Sequence, residues 1–329
     1  MGKFTKDEII KQKETRLGLE KINKQGYLMR IIKYNGCQDV IVEFQDKFKT
    51  KVNCEWKQFN KGTLENPAVF ENRINEERYN NQGCLMKIIE YYNSQDIVVE
   101  FQDNYKARVH AQYRKFILGG ISNPYFPSVC GVGMIGEKYS TRENGKTSKE
   151  YATWQSMLSR AFSEKVVKER PTYKDVICCN EWLLYENFYD WLHSQENFDK
   201  WKNNKGWHLD KDILVKGNKL YSPETCCLVP QYINVLFTCR QNDRGDMPLG
   251  VTKDAKQNRY IATTIYGKKN NKALTTAYRY PTPEDAFYLG YKPTKEAYIK
   301  EIAQEEYELG NITKKCYEAM MNYEVEITD

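Results

Sequence analysis

The stretch Trp207-His208-Leu209-Asp210-Lys211-Asp212-Ile213 sets an imidazole and two carboxylates at alternate positions. Side chains along a β-strand point to opposite faces in turn. His208, Asp210 and Asp212 therefore share one face, and Trp207, Leu209, Lys211 and Ile213 the other. One imidazole and two carboxylates on a single face, met by the carboxamide of Asn234 from a following helix, form a donor set for a hard divalent cation. Zinc is not expected: among the 10 cysteines, Cys178-Cys179 and Cys226-Cys227 are adjacent pairs. Adjacent side chains diverge on a strand, whereas a Cys-x-x-Cys pair converges on one ion. Reduced, structural thiols are the expectation.

Positioning these groups requires a strand over 209–214, a loop from Lys216 to Ser222, a second strand over Thr225–Val229 and a helix opening at Pro230-Gln231. Upstream, Ser148 has the character of an N-cap. Tyr151, Trp154, Met157, Leu158 and Ala161 follow at helical spacing, predicting a helix through about Phe162. Trp182, Leu183, Phe188 and Trp191 make an aromatic stripe expected to be core. Downstream, residues 244–280 carry eight lysines and arginines against two aspartates, equal to the chain's whole formal excess of +6. Such a concentration suggests a polyanionic partner. Gly250-Val251, the alternating run Arg259 to Gly267 and the stretch Ala273 to Tyr280 predict a three-stranded sheet. Thr282-Pro283-Glu284-Asp285 starts a helix, with proline at the first position and acids in the first turn. Further helices are expected from Pro293 to Glu308 and from Thr313 to Asn322, before a loosely held acidic tail.

The N-terminal third repeats itself. Gln25-Gly26-Tyr27-Leu28-Met29-Arg30-Ile31-Ile32 and Gln38-Asp39-Val40-Ile41-Val42-Glu43-Phe44-Gln45-Asp46 return 57 residues later as Gln82-Gly83-Cys84-Leu85-Met86-Lys87-Ile88-Ile89 and Gln95-Asp96-Ile97-Val98-Val99-Glu100-Phe101-Gln102-Asp103. Each copy closes on a glycine and an Asn-Pro, at Gly62 and Asn66-Pro67 and again at Gly119 and Asn123-Pro124. β-Branched and aromatic runs between turn residues predict three or four strands per copy. The polar segments before each copy, 1–22 and 71–80, read as helices. The repeats serve either as recognition surfaces or as spacers.

Asp210 through Asn234 resembles the ββα-metal core of the HNH endonuclease family. The resemblance implies that Asp210 and Asn234 bind one cation, Mg2+ or Mn2+, with Asp212 in support. A histidine follows the strand acid in that family and polarises the attacking water, which is general-base work on a phosphodiester. Lys211 stands there instead, and a protonated lysine accepts no proton. His208 is the substitute base, and Lys211 the contact to the scissile phosphate. The family's loop-bracing asparagine is replaced by Thr225. Gly250-Val251, Tyr260-Ile261-Ala262 and Thr282 to Phe287 resemble the ethylene-response-factor (apetala-type) DNA-binding domain, which often follows HNH cores in phage and mobile-element proteins. That resemblance implies a sheet lying on DNA, with Lys253, Arg259, Tyr260, Lys268, Lys269 and Arg279 at the nucleic acid.

The expected protein is thus α+β and multidomain: an N-terminal helix (1–22), β-rich repeats (23–67 and 80–124), an HNH-like core with flanking helices (125–243), and a three-stranded sheet with helices (244–329). No apolar run of about 18 residues exists, so no membrane span or signal peptide is expected, and a cytoplasmic site is, in a host cell if the gene is a phage's. Two functions stay open. One is metal-dependent cleavage or nicking of duplex DNA. The other is a catalytically retired phage protein that binds DNA, or that inhibits a host defence by binding a host protein or a nucleotide.

Overall fold

The computed structural model describes residues 11, 13–68, 73–237, 246–266, 272–275 and 278–328. The chain is mixed α+β with several small antiparallel sheets, and its contacts divide it into two units, Met1–Asn123 and Pro124–Asp329.

In the first unit each repeat is a four-stranded antiparallel meander followed by a short helix. The first comprises β1 (Glu20–Ile22), β2 (Leu28–Gly36), β3 (Asp39–Phe44), β4 (Lys51–Cys54) and α1 (Trp56–Lys61). The second comprises β5 (Glu77–Tyr79), β6 (Leu85–Asn93), β7 (Asp96–Phe101), β8 (Arg108–Ala111) and α2 (Tyr113–Ile117). Met29, Ile31, Val40, Val42 and Phe44 fill the first core, and Met86, Ile88, Ile97, Val99 and Phe101 the equivalent sites of the second. A bulge breaks the alternation at the same place in both, between Ile31 and Lys33 and between Ile88 and Glu90. The extra residue reverses facing, so Tyr34 rather than Lys33 turns inward.

Two expectations are corrected here. Glu20–Ile22 and Glu77–Tyr79 lie in the segments read as polar helices, yet they form the first strand of each sheet. An edge strand with little buried surface carries no hydrophobic alternation, so only its backbone pairing defines it. Each module accordingly begins earlier than 23 or 80. Arg16 stacks 4.0 Å over Trp56 and also covers Tyr34. Arg73 repeats this 57 positions on, 4.1 Å over Tyr113 and above Tyr91. The Asn-Pro closures also find a reason: Asn123 donates to Asp103 at 2.6 Å, and Asn66 to Asp46. On the outer face, register lines up Glu20, Arg30, Glu43 and Lys51, and again Glu77, Lys87, Glu100 and Arg108. Opposite charges alternate across all four strands.

The second unit opens with a small hairpin, β9 (Arg142–Glu143) and β10 (Lys146–Thr147), leading into α3 (Lys149–Phe162) and α4 (Glu164–Glu169). Ser148 caps α3 by accepting from the Tyr151 N–H. Ser148→Ala is expected to cost about 1 kcal/mol, read by chemical denaturation of this unit. Next come β11 (Ile177–Cys178), α5 (Tyr185–His193), α6 (Phe198–Asn203), β12 (Trp207–Asp210), β13 (Leu220–Tyr221), β14 (Cys227–Pro230) and α7 (Gln231–Leu236). Strands β12 and β14 pair antiparallel, and β11 pairs with β13 in parallel. Of the aromatic stripe, Trp182 and Phe188 are fully buried in one core with Trp154, Trp201, Leu158 and Leu192, and Leu183 and Trp191 pack against it partly buried.

A three-stranded antiparallel sheet follows, β15 (Val251–Asp254), β16 (Arg259–Tyr266) and β17 (Lys272–Thr275). A single helical turn Pro283–Asp285, a π-helical stretch Ala286–Tyr291, α8 (Lys292–Glu308) and α9 (Lys314–Met321) complete the chain. The expected boundary at 243/244 does not separate two cores. Ile213, Cys227, Val229 and Ile233 share one with Val251, Ala262, Phe287, Ile299, Ile302 and Met320. Strand β14 explains this, because it is buried on both faces. Cys226, just before it, and Leu228 point to the tryptophan core, while Cys227 and Val229 point to the C-terminal one. Burial pushes the Cys226 thiol up to about 12, keeping it protonated and unreactive. The acidic tail is docked rather than loose: Val325 is buried, and its carbonyl accepts from Lys292 at 2.9 Å.

Candidate functional site

Strand β12 carries His208 and Asp210 to the start of a turn, and α7, bearing Asn234, packs on β12 and β14. Strand, loop, strand and helix thus stand in the order expected. The side chains are arranged differently. The Asp210 carboxylate is buried, and one of its oxygens accepts 2.8 Å hydrogen bonds from the backbone N–H groups of Asp212 and Ile213. Burial pushes its carboxyl above the usual aspartate range, opposed by those two N–H donors. Asp210 therefore closes the turn that leaves β12.

Lys211, where the resemblance would lead one to expect a histidine base, is buried, and its Nζ lies 2.6 Å from the Asp212 carboxylate and 2.9 Å from the Asn218 carbonyl. Asp212 is bound to this lysine, while the Asp210 oxygen is committed to backbone. Among the described residues no group of three His, Cys, Asp or Glu side chains gathers as a metal centre needs. The strand expected over 209–214 ends at Asp210, where the turn begins, so His208 and Asp210 share the parity of β12 but Asp212 lies beyond it; the three do not form one donor set and do not fit the cation that the resemblance implies. Asn234 lies in the second turn of α7 and adds no third carboxylate or imidazole.

Sequence reading missed Asn218. Its amide donates to the carbonyls of Lys211 at 2.8 Å and Leu220 at 2.7 Å, tying the two ends of the loop. Thr225 adds a 2.7 Å bond to the Leu220 carbonyl. Loop bracing is thereby shared by two residues, and Asn218 after Gly217 was the available signal, since Gly217 sits at φ +70°.

His208 is half-buried, and its ring has no hydrogen-bond partner among the described residues. Its pKa is lowered by burial first, then by the charges of Arg160 and Lys149. A neutral imidazole can accept a proton, but nothing here orients the ring as a catalytic base requires. Arg160, from the last turn of α3, donates to the Tyr221 hydroxyl at 3.2 Å and lies 5.5 Å over the Tyr173 ring. Burial pushes Tyr221 up to about 12. The cluster gathers residues from four separate segments.

The C-terminal sheet divides the other site residues between its faces. Ala262 and Thr264 are buried on the face that meets Gly290 and Tyr291. Lys253 pairs with Tyr260 in register and shares that parity, and Tyr260 packs against the core. Arg259 is exposed on the opposite face. Asp254 pairs with it, and Arg279 forms a 3.1 Å ion pair with Asp254. Lys268 and Lys269 lie outside the described residues. No described helix is long and apolar enough to cross a membrane. No protein-family model, curated protein or solved structure matches this chain.

Proposed function

We propose that this protein binds duplex DNA through its C-terminal unit, using an HNH-like frame as a binding scaffold rather than as a metal-dependent nuclease. The observation that carries this reading is the sheet β15–β16–β17, whose face opposite the helices exposes Arg259 within the segment holding the chain's whole positive excess. Backbone phosphates are what such a face attracts. The Lys211–Asp212 pair, which occupies the base position, favours binding over cleavage.

Fluorescence anisotropy with a labelled duplex over a range of salt tests the reading. The logarithm of affinity is expected to fall linearly with the logarithm of salt, and Arg259→Gln to reduce that slope by about one. Salt-independent or absent binding would sink it. No Mg2+- or Mn2+-dependent nicking of plasmid DNA is expected, and nicking abolished by Asp210→Asn would restore the nuclease. A second reading, that the repeats dock on a host protein, is favoured by apolar side chains left exposed at matched positions: Leu17 and Ile74, Ile22 and Tyr79, Phe48 and Tyr105. The alternating charges across both repeat sheets give those faces no positive excess for phosphate.

A further inference from the structure

We propose that the outer faces of the two repeat sheets dock on the same faces of a second copy of this chain. The inference is independent of the DNA-binding reading and gives the repeats a partner. Its ground is the order of charge across each sheet. Glu20, Arg30, Glu43 and Lys51 stand side by side on neighbouring strands, negative, positive, negative, positive. Glu77, Lys87, Glu100 and Arg108 give the same order. Arginine and lysine exchange places between the repeats while every sign is kept.

A row of that order is complementary to its own reverse. Turned over by a two-fold axis along the strands, it sets Glu20 against Lys51 of the other copy and Arg30 against Glu43, so that every position meets an opposite charge. Within one chain the row is only half closed. Arg30 pairs with Glu20, and Lys51 with Glu43 at 3.9 Å, whereas Arg30 and Glu43, though in register, form no ion pair among the described residues. Lys87 and Glu100 repeat that gap, with Lys87 paired to Glu77 and Arg108 to Glu100. The side chains of Lys51 and Arg108 stay 62% and 65% exposed. Beside each row an apolar pair stands on the same side, Ile22 with Leu28 and Tyr79 with Leu85, and Ile22 and Tyr79 are exposed. Apolar area of this kind is what an interface needs beyond its charges. Size gives a reason for the duplication. Each residue of a sheet covers about 16 Å² of its plane, so one face offers about 350 Å². A stable association takes about 800 Å² from each partner, which one face cannot supply and two approach. Because the charges of each row sum to zero, it suits neither a polyanion nor a peptide of single sign, whereas a second copy carries the matching row.

Analytical ultracentrifugation of the full-length protein over a range of concentration reads the association. Its mass is expected to rise above that of one chain, and added salt to weaken the association. Arg30→Glu with Lys87→Glu brings like charges together and is expected to weaken self-association about a hundredfold. Glu43→Lys with Glu100→Lys does the same from the other side. Mixing the two variants is expected to restore association, because each presents the charge that the other now lacks. Restoration between chains is a result that a role confined to one sheet would not produce. If circular dichroism shows a reversed variant unfolded, Arg30→Gln with Lys87→Gln takes its place, with a loss of about tenfold expected. A parent chain that stays monomeric at every concentration overturns the proposal and returns the exposed apolar positions to the host-protein reading. Variants that associate as the parent does, or a mixture that stays monomeric, overturn it as well. Duplex binding by the variants is expected to be unchanged, so failure of the docking leaves the DNA reading in place.

Discussion

Asp210→Ala is expected to destabilise the second unit strongly, whereas Asp210→Asn is expected to stabilise it at neutral pH. Alanine removes the acceptor of two backbone N–H groups in a buried turn. Each orphaned donor costs about 1–3 kcal/mol. Asparagine keeps a carbonyl oxygen for both donors and carries no charge to desolvate. The carboxyl of Asp210 titrates above its unfolded value because it is buried. Between the unfolded and folded values the native state holds a proton that the unfolded chain has released. Stability attributable to this group therefore falls as pH rises through that window and is flat above it. Asp210→Asn should lack this slope, so its advantage should appear above the window and vanish below it. Thermal unfolding of both proteins across pH checks the sign. A variant less stable than the parent at neutral pH would show that the ionised carboxylate is held favourably.

Trp154→Ala is expected to cost about 3–5 kcal/mol, the range for deleting a large buried aromatic. Trp154 is fully buried, donates its indole N–H to the Trp182 carbonyl at 2.7 Å and contacts Tyr151 and Tyr185. The loss is a large share of a domain's usual stability. Two-unit behaviour predicts that residues 124–329 unfold early while the repeats keep their own transition. Calorimetry separates the two, and a single shared transition shifted as a whole would contradict independent units.

Much of the fold was legible because its signals are local. The Ser148 cap, the helical spacing through Phe162 and the Thr282-Pro283 start are each written within a few residues. Divergence of Cys226 and Cys227 followed from strand geometry alone. The first strand of each repeat was not legible: Glu77–Tyr79 is polar and exposed, and only its pairing with Leu85–Lys87 makes it a strand. The parity of Tyr34 depends on a bulge that no hydrophobic pattern announces.

The heptapeptide Trp207 to Ile213 shows the same division at the level of chemistry. By itself the sequence determined which residue types lie on β12, that His208 and Asp210 share its parity, and that a loop, a strand and a helix follow. Tertiary structure decided what those groups do. It turned the Asp210 oxygen to the backbone, bound Lys211 to Asp212 across the turn, and brought Arg160 and Tyr221 together from 61 residues apart. Periodicity reports facing within one element, whereas the partner of a charge is set by which distant segments pack beside it, and that is settled only when both cores close around β14.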